Sequence, residues 1–122
     1  MDEIWAIAKK HNLKVIIYGA QCFGASYKNI CSANYCDIYT TIFFPAKPFR
    51  CYGDGGAVFT HNDEYAEIMK MMRVHRQNKR YHHKYIGIGG RLDALQTTVL
   101  LTKIPRYHTE LEGRNRVAQA HD

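Results

Sequence analysis

The sequence predicts an α/β layer structure. Apolar residues recur at helical spacing over 2–11 and again over 62–73. A continuous apolar, β-branched run occupies 13–20, and two further strand-like runs, 38–44 and 56–60, lie between the helical segments. Helices alternating with apolar strands call for a sheet covered by helices.

Taken in order, residues 2–11 form the first helix, with Ile4, Ala6, Ile7 and Ala8 as its apolar stripe and Asp2 and Glu3 in its first turn, where acidic side chains suit the helix dipole. Asn12 ends it. The run LKVIIYGA, 13–20, has the unbroken apolar character of a strand buried on both faces. Residues 21–37 carry Gly24, Ser26, Asn29, Ser32 and Asn34 and are expected to form loops. IYTTIFF, 38–44, is the second strand and GAVFT, 56–60, the third. Asn62 caps a helix through Arg73, with Ile68, Met71 and Met72 directed inward. Met69, Met71 and Met72 suit core packing rather than a ligand site. After a polar stretch to Gly90, residues 91–103 form a helix with Leu92, Leu95, Val99 and Leu100 on one face. Pro105 is expected to break it, and a last amphipathic helix to run from Tyr107 towards Ala120. Three strands make a small sheet that leaves apolar surface and strand edges uncovered, so the chain is expected to be part of a larger sheet.

Composition narrows the classes. With 122 residues, 46% hydrophobic and 23% charged, the chain suits one ordinary globular domain at most. No apolar run approaches the length of a membrane span. The N-terminal MDEIWAIAKKHN is acidic and then amphipathic, unlike a secretion signal, and a cytoplasmic location is expected. Cys22, Cys31, Cys36 and Cys51 form no CxxC pair and match no zinc spacing; reduced thiols are expected. The formal charge of +6 gathers in RVHRQNKRYHHKY, 73–85, where Arg73, Arg76, Lys79 and Arg80 interleave with aromatics. That pattern suits phosphates and stacked bases, but no nucleic-acid motif accompanies it. A basic surface loop, or one that meets an anionic small molecule, is the preferred alternative, and no membrane partner is expected.

The most informative run is TTIFFPAKPFRCYGDGGAVFT, 40–60, where Lys47 stands between Pro45 and Pro48 after a strand. A lysine held at a strand end in a partly desolvated pocket loses its proton and attacks carbonyl groups. From spacing alone, a solvated loop lysine remains the open alternative.

Three segments, KVIIYGAQCFGASYKN, FFPAKPFRCYGDGGAVFT and RVHRQNKRYHHKYIGIGGRLDALQ, together with the helices between them, closely resemble the DegT/DnrJ/StrS family over essentially the whole chain. These are pyridoxal-phosphate-dependent aminotransferases of nucleotide-linked keto sugars, and the likeness is strongest to those that aminate UDP-2-acetamido-2-deoxy-3-oxo-glucuronate in surface-polysaccharide synthesis. The resemblance implies a fragment of the large domain of a fold-type I transferase, a mixed sheet flanked by helices. It makes Lys47 the catalytic lysine that carries pyridoxal 5'-phosphate and shuttles a proton. It places Gln21 beside the cofactor's phenolic oxygen and Arg91 on a substrate carboxylate, a contact that suits a planar guanidinium. It further implies glutamate as amino donor and a homodimer, because in the family that arginine crosses the dimer interface. His75 and Tyr81, His82 and His83 fall in a matching segment without an implied role.

The departures concern the cofactor. Where the family has Glu-Asp-Ala before the Ala-Gln pair, this chain has Ile17, Tyr18 and Gly19. The lost aspartate is the one that keeps the pyridine nitrogen protonated, and a neutral phenol with a reference pKa of about 10 gives no comparable stabilisation. The phosphate-binding serine of SFFPAK is Ile42, and the asparagine of the NGR triplet is Gly89. Two family glycines are Arg50 and Arg76, costly wherever positive φ is needed. Family members are about three times longer than this chain. Met1 matches an internal methionine of the longer enzymes, and Asp122 stops before their small C-terminal domain. The expectation is a partial large domain over 1–122, without catalysis of its own. The alternative is a non-catalytic scaffold that pairs with a full-length homologue.

Overall fold

A computed structural model gives the fold, and it describes residues 1–75, 77–79, 82–83 and 87–121, the two short pieces by backbone alone. Helix α1 (Asp2–Lys10) is followed by strand β1 (Ile16–Tyr18), a hairpin of β2 (Ser26–Tyr27) and β3 (Ile30–Cys31), and a 3-10 turn at Ser32–Asn34. Then come β4 (Ile38–Ile42), β5 (Gly56–Phe59), helix α2 (Asp63–Arg73), the short β6 (Gln77–Lys79) and β7 (His82–His83), and helix α3 (Ala94–Gln119).

The central sheet has the order β1-β4-β5. Strand β1 runs parallel to β4, with Ile16 opposite Ile38 and Tyr18 opposite Thr40; β5 runs antiparallel, with Tyr39 opposite Phe59 and Ile42 opposite Gly56. Because side chains alternate between faces, Ile17, Tyr39, Thr41, Ala57 and Phe59 share one face. That face carries the core. Phe43, Phe49, Cys51, Leu100 and Tyr107 are buried together, with Phe23, Leu92, Val99 and Leu111 packed against them. Phe23 stacks on Phe49 at 5.3 Å between ring centres, Tyr107 meets Phe49 at 4.9 Å, and the Tyr107 hydroxyl donates to the Phe23 carbonyl at 2.7 Å. The opposite face carries Ile16, Tyr18, Ile38, Thr40, Ile42 and Val58, of which Ile16, Tyr18 and Val58 are at least half exposed.

The helix predicted over 2–11 and the capped helix ending at Arg73 form as expected, and the Asn62 side chain accepts the Tyr65 N–H at 2.9 Å. Elsewhere tertiary contacts override the sequence signal. The run 13–20 yields only three strand residues and is not buried on both faces, since Ile16 is 64% exposed and Tyr18 62%. Its start is used in leaving α1, where the Leu13 N–H bonds the Ala8 carbonyl, and its end in a turn closed by the Cys22 N–H on the Gly19 carbonyl. Residues expected to be loop form the β2–β3 hairpin, whose two linking residues, Lys28 and Asn29, both take positive φ, the conformation that tight hairpins prefer. Lys28 forms an ion pair with Asp2, which ties the hairpin to α1.

Pro105 does not break the last helix: Ala94–Gln119 is continuous. The N–H that proline lacks would have met the carbonyl of Leu101, a residue 64% exposed, so water reaches that side of the helix. Packing on both sides of the proline holds the axis. Lys103 donates to the Arg50 carbonyl at 3.0 Å and lies over the Tyr52 ring, while Tyr107 is anchored to Phe23. Met72, expected inward, is exposed, whereas Ile68 and Met71 are half-buried. Arg50 lies outside the left-handed region, so it carries no backbone penalty; Arg76 lies outside the described residues.

Candidate functional site

Parallel pairing of β1 and β4 brings the C-terminal ends of both strands to one edge of the sheet, the place where open α/β sheets bind ligands. Tyr18 ends β1 and Gln21 follows it; Ile42 ends β4 and Lys47 follows that. The register, Tyr18 against Thr40, puts Tyr18 and Ile42 on the same face, two residues apart along β4. The Gly19 N–H donates to the Thr40 carbonyl at 2.7 Å, which fixes this relation.

Lys47 sits in a short turn in which its own N–H donates to the Phe44 carbonyl at 2.9 Å. It is half-buried, and the Arg50 guanidinium donates to its carbonyl at 3.5 Å. The turn is braced from beneath by Cys51, which is fully buried. The Cys51 N–H donates to the Phe43 carbonyl at 2.8 Å, and its thiol lies 3.2 Å from the carbonyls of both Phe43 and Gly53. Opposite it, the Phe43 N–H donates to the Gly55 carbonyl. Helix α3 closes the same end. Gln96 accepts the Tyr52 N–H at 2.9 Å, and Leu92 packs against Gly55, where an added Cβ would come within 2.7 Å of its Cδ1. Arg91, one residue before Leu92, is therefore carried to this edge with its side chain exposed. Gly89 bridges Val74 in the antiparallel sense, and a side chain there would meet the His75 imidazole at 3.1 Å.

The register thus brings Tyr18 and Ile42, and the segments after them that carry Gln21 and Lys47, to the same end of the sheet. The basic run 73–85 is described only in part: Arg80 and Tyr81 lie outside the described residues with Arg76, and Lys79, His82 and His83 are described by backbone alone.

Sequence reasoning missed Tyr39. Its side chain is 2% exposed, and its hydroxyl lies 3.3 Å from the Gly19 carbonyl and 3.5 Å from that of Cys22. It supports the turn that carries Gln21. Burial pushes its pKa up to about 12. The signal was present as the alternation of Tyr39, Thr41 and Phe43 through β4, which marks the inward face. Cys51 and Gln96 gave no such signal, because their partners come from turn carbonyls and a distant loop.

The edge belongs to a mixed α/β sheet with a lysine in the turn beyond its central strand, and the solved structures that share this frame are aminotransferases. A DegT DnrJ EryC1 StrS aminotransferase from Brucella abortus superposes with a TM-score of 0.93 at 38% identity, over 98% of this chain and 32% of that one. S. venezuelae DesV, in complex with a ketimine intermediate, superposes with a TM-score of 0.84 at 32% identity, over 89% and 29%. The chain belongs to the DegT/DnrJ/EryC1/StrS aminotransferase family, whose pattern matches residues 1–122. Among curated relatives, a UDP-2-acetamido-2-deoxy-3-oxo-D-glucuronate aminotransferase of Pseudomonas aeruginosa is 46% identical over 121 residues, 99% of this chain and 34% of that protein. A pleiotropic regulatory protein of Geobacillus stearothermophilus is 40% identical over 97% of this chain and 32% of its own length. The chain therefore spans about a third of the length of the curated relatives it matches.

The family's cofactor is pyridoxal phosphate, and the residues at this edge fit it only in part. Lys47 offers a half-buried amine and Gln21 an exposed amide. Tyr18 and Ile42, which share one face at this end of the sheet, supply a phenol 62% exposed and an aliphatic side chain. Neither offers a carboxylate to a ring nitrogen, and Ile42 offers no hydrogen bond to a phosphate. As a complete cofactor site, the edge does not fit.

Proposed function

We propose that this chain corresponds to the lysine-bearing central part of the large domain of a nucleotide-sugar aminotransferase, and that it does not transaminate by itself. The observation that carries this reading is the shared face of Tyr18 and Ile42 at the end of the sheet from which the Lys47 turn departs: the lysine is retained, while the polar residues that the family has at those two positions are replaced. In the whole proteins that the family comprises, Lys47 is the position for carrying the cofactor, Gln21 for contacting it and Arg91 for holding a substrate carboxylate. The corresponding reaction transfers an amino group from glutamate to a nucleotide-linked keto sugar for polysaccharide synthesis, in a cytoplasmic homodimer.

The test is spectroscopic. Purified chain mixed with pyridoxal phosphate is expected to give no stable near-visible band that disappears on adding glutamate. A band that forms, converts with glutamate and is absent from Lys47→Ala would overturn the inactivity.

A second reading, a non-catalytic partner of a full-length homologue, is favoured by the exposed apolar face of Ile16, Tyr18 and Val58, which leaves the sheet uncovered on that side. It predicts co-purification with such a homologue, undiminished by Lys47→Ala.

A further inference from the structure

Helix α3 grips the loop that carries Lys47 at two points. Between β4 and β5 the chain forms a loop closed at its neck by the Phe43 N–H on the Gly55 carbonyl and the Cys51 N–H on the Phe43 carbonyl. Within it Phe49 is buried in the core, and Lys47 lies in the turn closed on Phe44. Two backbone groups on the returning side, the Arg50 carbonyl and the Tyr52 N–H, have no backbone partner among the described residues. Such groups need a partner from elsewhere.

Both partners come from α3. The Gln96 amide oxygen accepts the Tyr52 N–H at 2.9 Å, and the Lys103 ammonium donates to the Arg50 carbonyl at 3.0 Å while lying 4.6 Å from the centre of the Tyr52 ring. Gln96 and Lys103 are about two helical turns apart, and each stands one turn before a buried residue, Leu100 or Tyr107. They therefore share the stripe that faces the core. Gln96 is fixed at its base, since its N–H donates to the Asp93 cap at 2.9 Å. From Arg50 the chain of bonds continues to Lys47, whose carbonyl accepts the Arg50 guanidinium at 3.5 Å.

We propose that Gln96 and Lys103 are positioning residues, which hold the loop from α3 and so set where the Lys47 amine stands and how far it is open to reagents. Leu92 seats the start of the same segment on Gly55, so the element that presents Arg91 also places Lys47. Two functional positions are then referenced to one rigid helix rather than to a free loop. The importance of this clamp rests on the role proposed for Lys47. Its test uses no cofactor, so an unexpected pyridoxal-phosphate band would leave the result below unchanged.

The experiment uses the full chain, acetylated at trace level with an N-hydroxysuccinimide ester, with mass spectrometry comparing Lys47 with the exposed Lys10 and amide hydrogen exchange reporting on Tyr52. In Gln96→Leu, exchange at Tyr52 should quicken about tenfold, as loss of one hydrogen bond implies. Acetylation of Lys47 relative to Lys10 should rise at least about threefold in Gln96→Leu and in Lys103→Met, for the same loss of a loop anchor. Gln96→Glu keeps an acceptor for the Tyr52 N–H and should behave as the unaltered chain. If Gln96→Leu does not fold, Lys103→Met against Gln96→Glu makes the same comparison. The proposal is overturned if Lys47 reacts equally in all these proteins, or if glutamate does not rescue. It is also overturned if exchange quickens as much throughout β4 as at Tyr52, because Gln96 would then serve general stability.

Discussion

The ring of Tyr39 occupies the space that a side chain on Gly19 would need: an added Cβ at Gly19 would lie 2.0 Å from both the Cζ and the hydroxyl oxygen of Tyr39. Gly19 directly follows β1, Tyr39 lies on the neighbouring parallel strand β4, and the phenol bonds the Gly19 carbonyl. Large and small are thus exchanged across one contact directly beneath the turn that carries Gln21.

Gly19→Ala should therefore destabilise the chain by about 2–3 kcal/mol, the upper part of the range for overpacking a core. Tyr39→Ala alone also destabilises, by leaving a cavity. Combined, the two should cost clearly less than their sum, because the clash is removed with the ring. Denaturant midpoints of the four proteins check this; strict additivity would refute the contact.

The same burial makes stability depend on alkaline pH. The folded-state pKa of Tyr39 is raised to about 12, above the unfolded value near 10. The stabilisation is fully present below pH about 10 and is lost as pH rises from there towards 12, by at most about 2–3 kcal/mol. Tyr39→Phe should flatten that part of the curve. Urea titrations at about pH 9 and pH 11, with the variant as control for titrating lysines, give the measurement.

Asp37 pins the start of the β1–β4 pair. Its carboxylate accepts the Val15 N–H at 2.8 Å and the Lys14 ammonium at 3.2 Å. The backbone bond from Val15, with Lys14 adding to it, holds its pKa below the usual value. Its contribution is present above the unfolded carboxylate pKa of about 4 and is lost as pH falls through the lower folded value. Asp37→Ala should cost about 1–2 kcal/mol near neutrality, and much less in acid. An equal loss at both pH values would show that the carboxylate is not what matters.

Thr41 is 3% exposed, and its hydroxyl has no hydrogen-bond partner among the described residues. Thr41→Val keeps the shape and removes a buried polar group, so it should stabilise by about 1 kcal/mol. A raised Tm without change in the cooperativity of unfolding is the expected result.

The thiols report the fold directly. Cys22 and Cys31 are exposed, while Cys36 and Cys51 are buried. A thiol reagent should label the first pair quickly and the second only with added denaturant. Early labelling of Cys51 would mean that the braced turn around Lys47 does not form.

Much of this was legible in the sequence. The periodicity of 2–11 and the Asn62 cap with acidic residues behind it specify helices by local chemistry, and they formed as expected. The run around Lys47 identified the family, because its prolines, lysine and glycines occur together and in order. Local pattern misled where distant partners decide. The run 13–20 has the composition of a doubly buried strand, yet one face of β1 stays uncovered. Pro105 is a helix breaker by its own chemistry, and only Lys103, on Arg50 and Tyr52, and Tyr107, on Phe23, hold α3 through it.

The sequence by itself determined helices α1 and α2 and the family, because each rests on residue identity and short-range spacing. Only the tertiary structure decided that Tyr18 and Ile42 share a face at one end of the sheet, and that Tyr39 fills the space beside Gly19. Those relations depend on strand register, which sets side-chain facing and backbone direction between segments far apart in the chain.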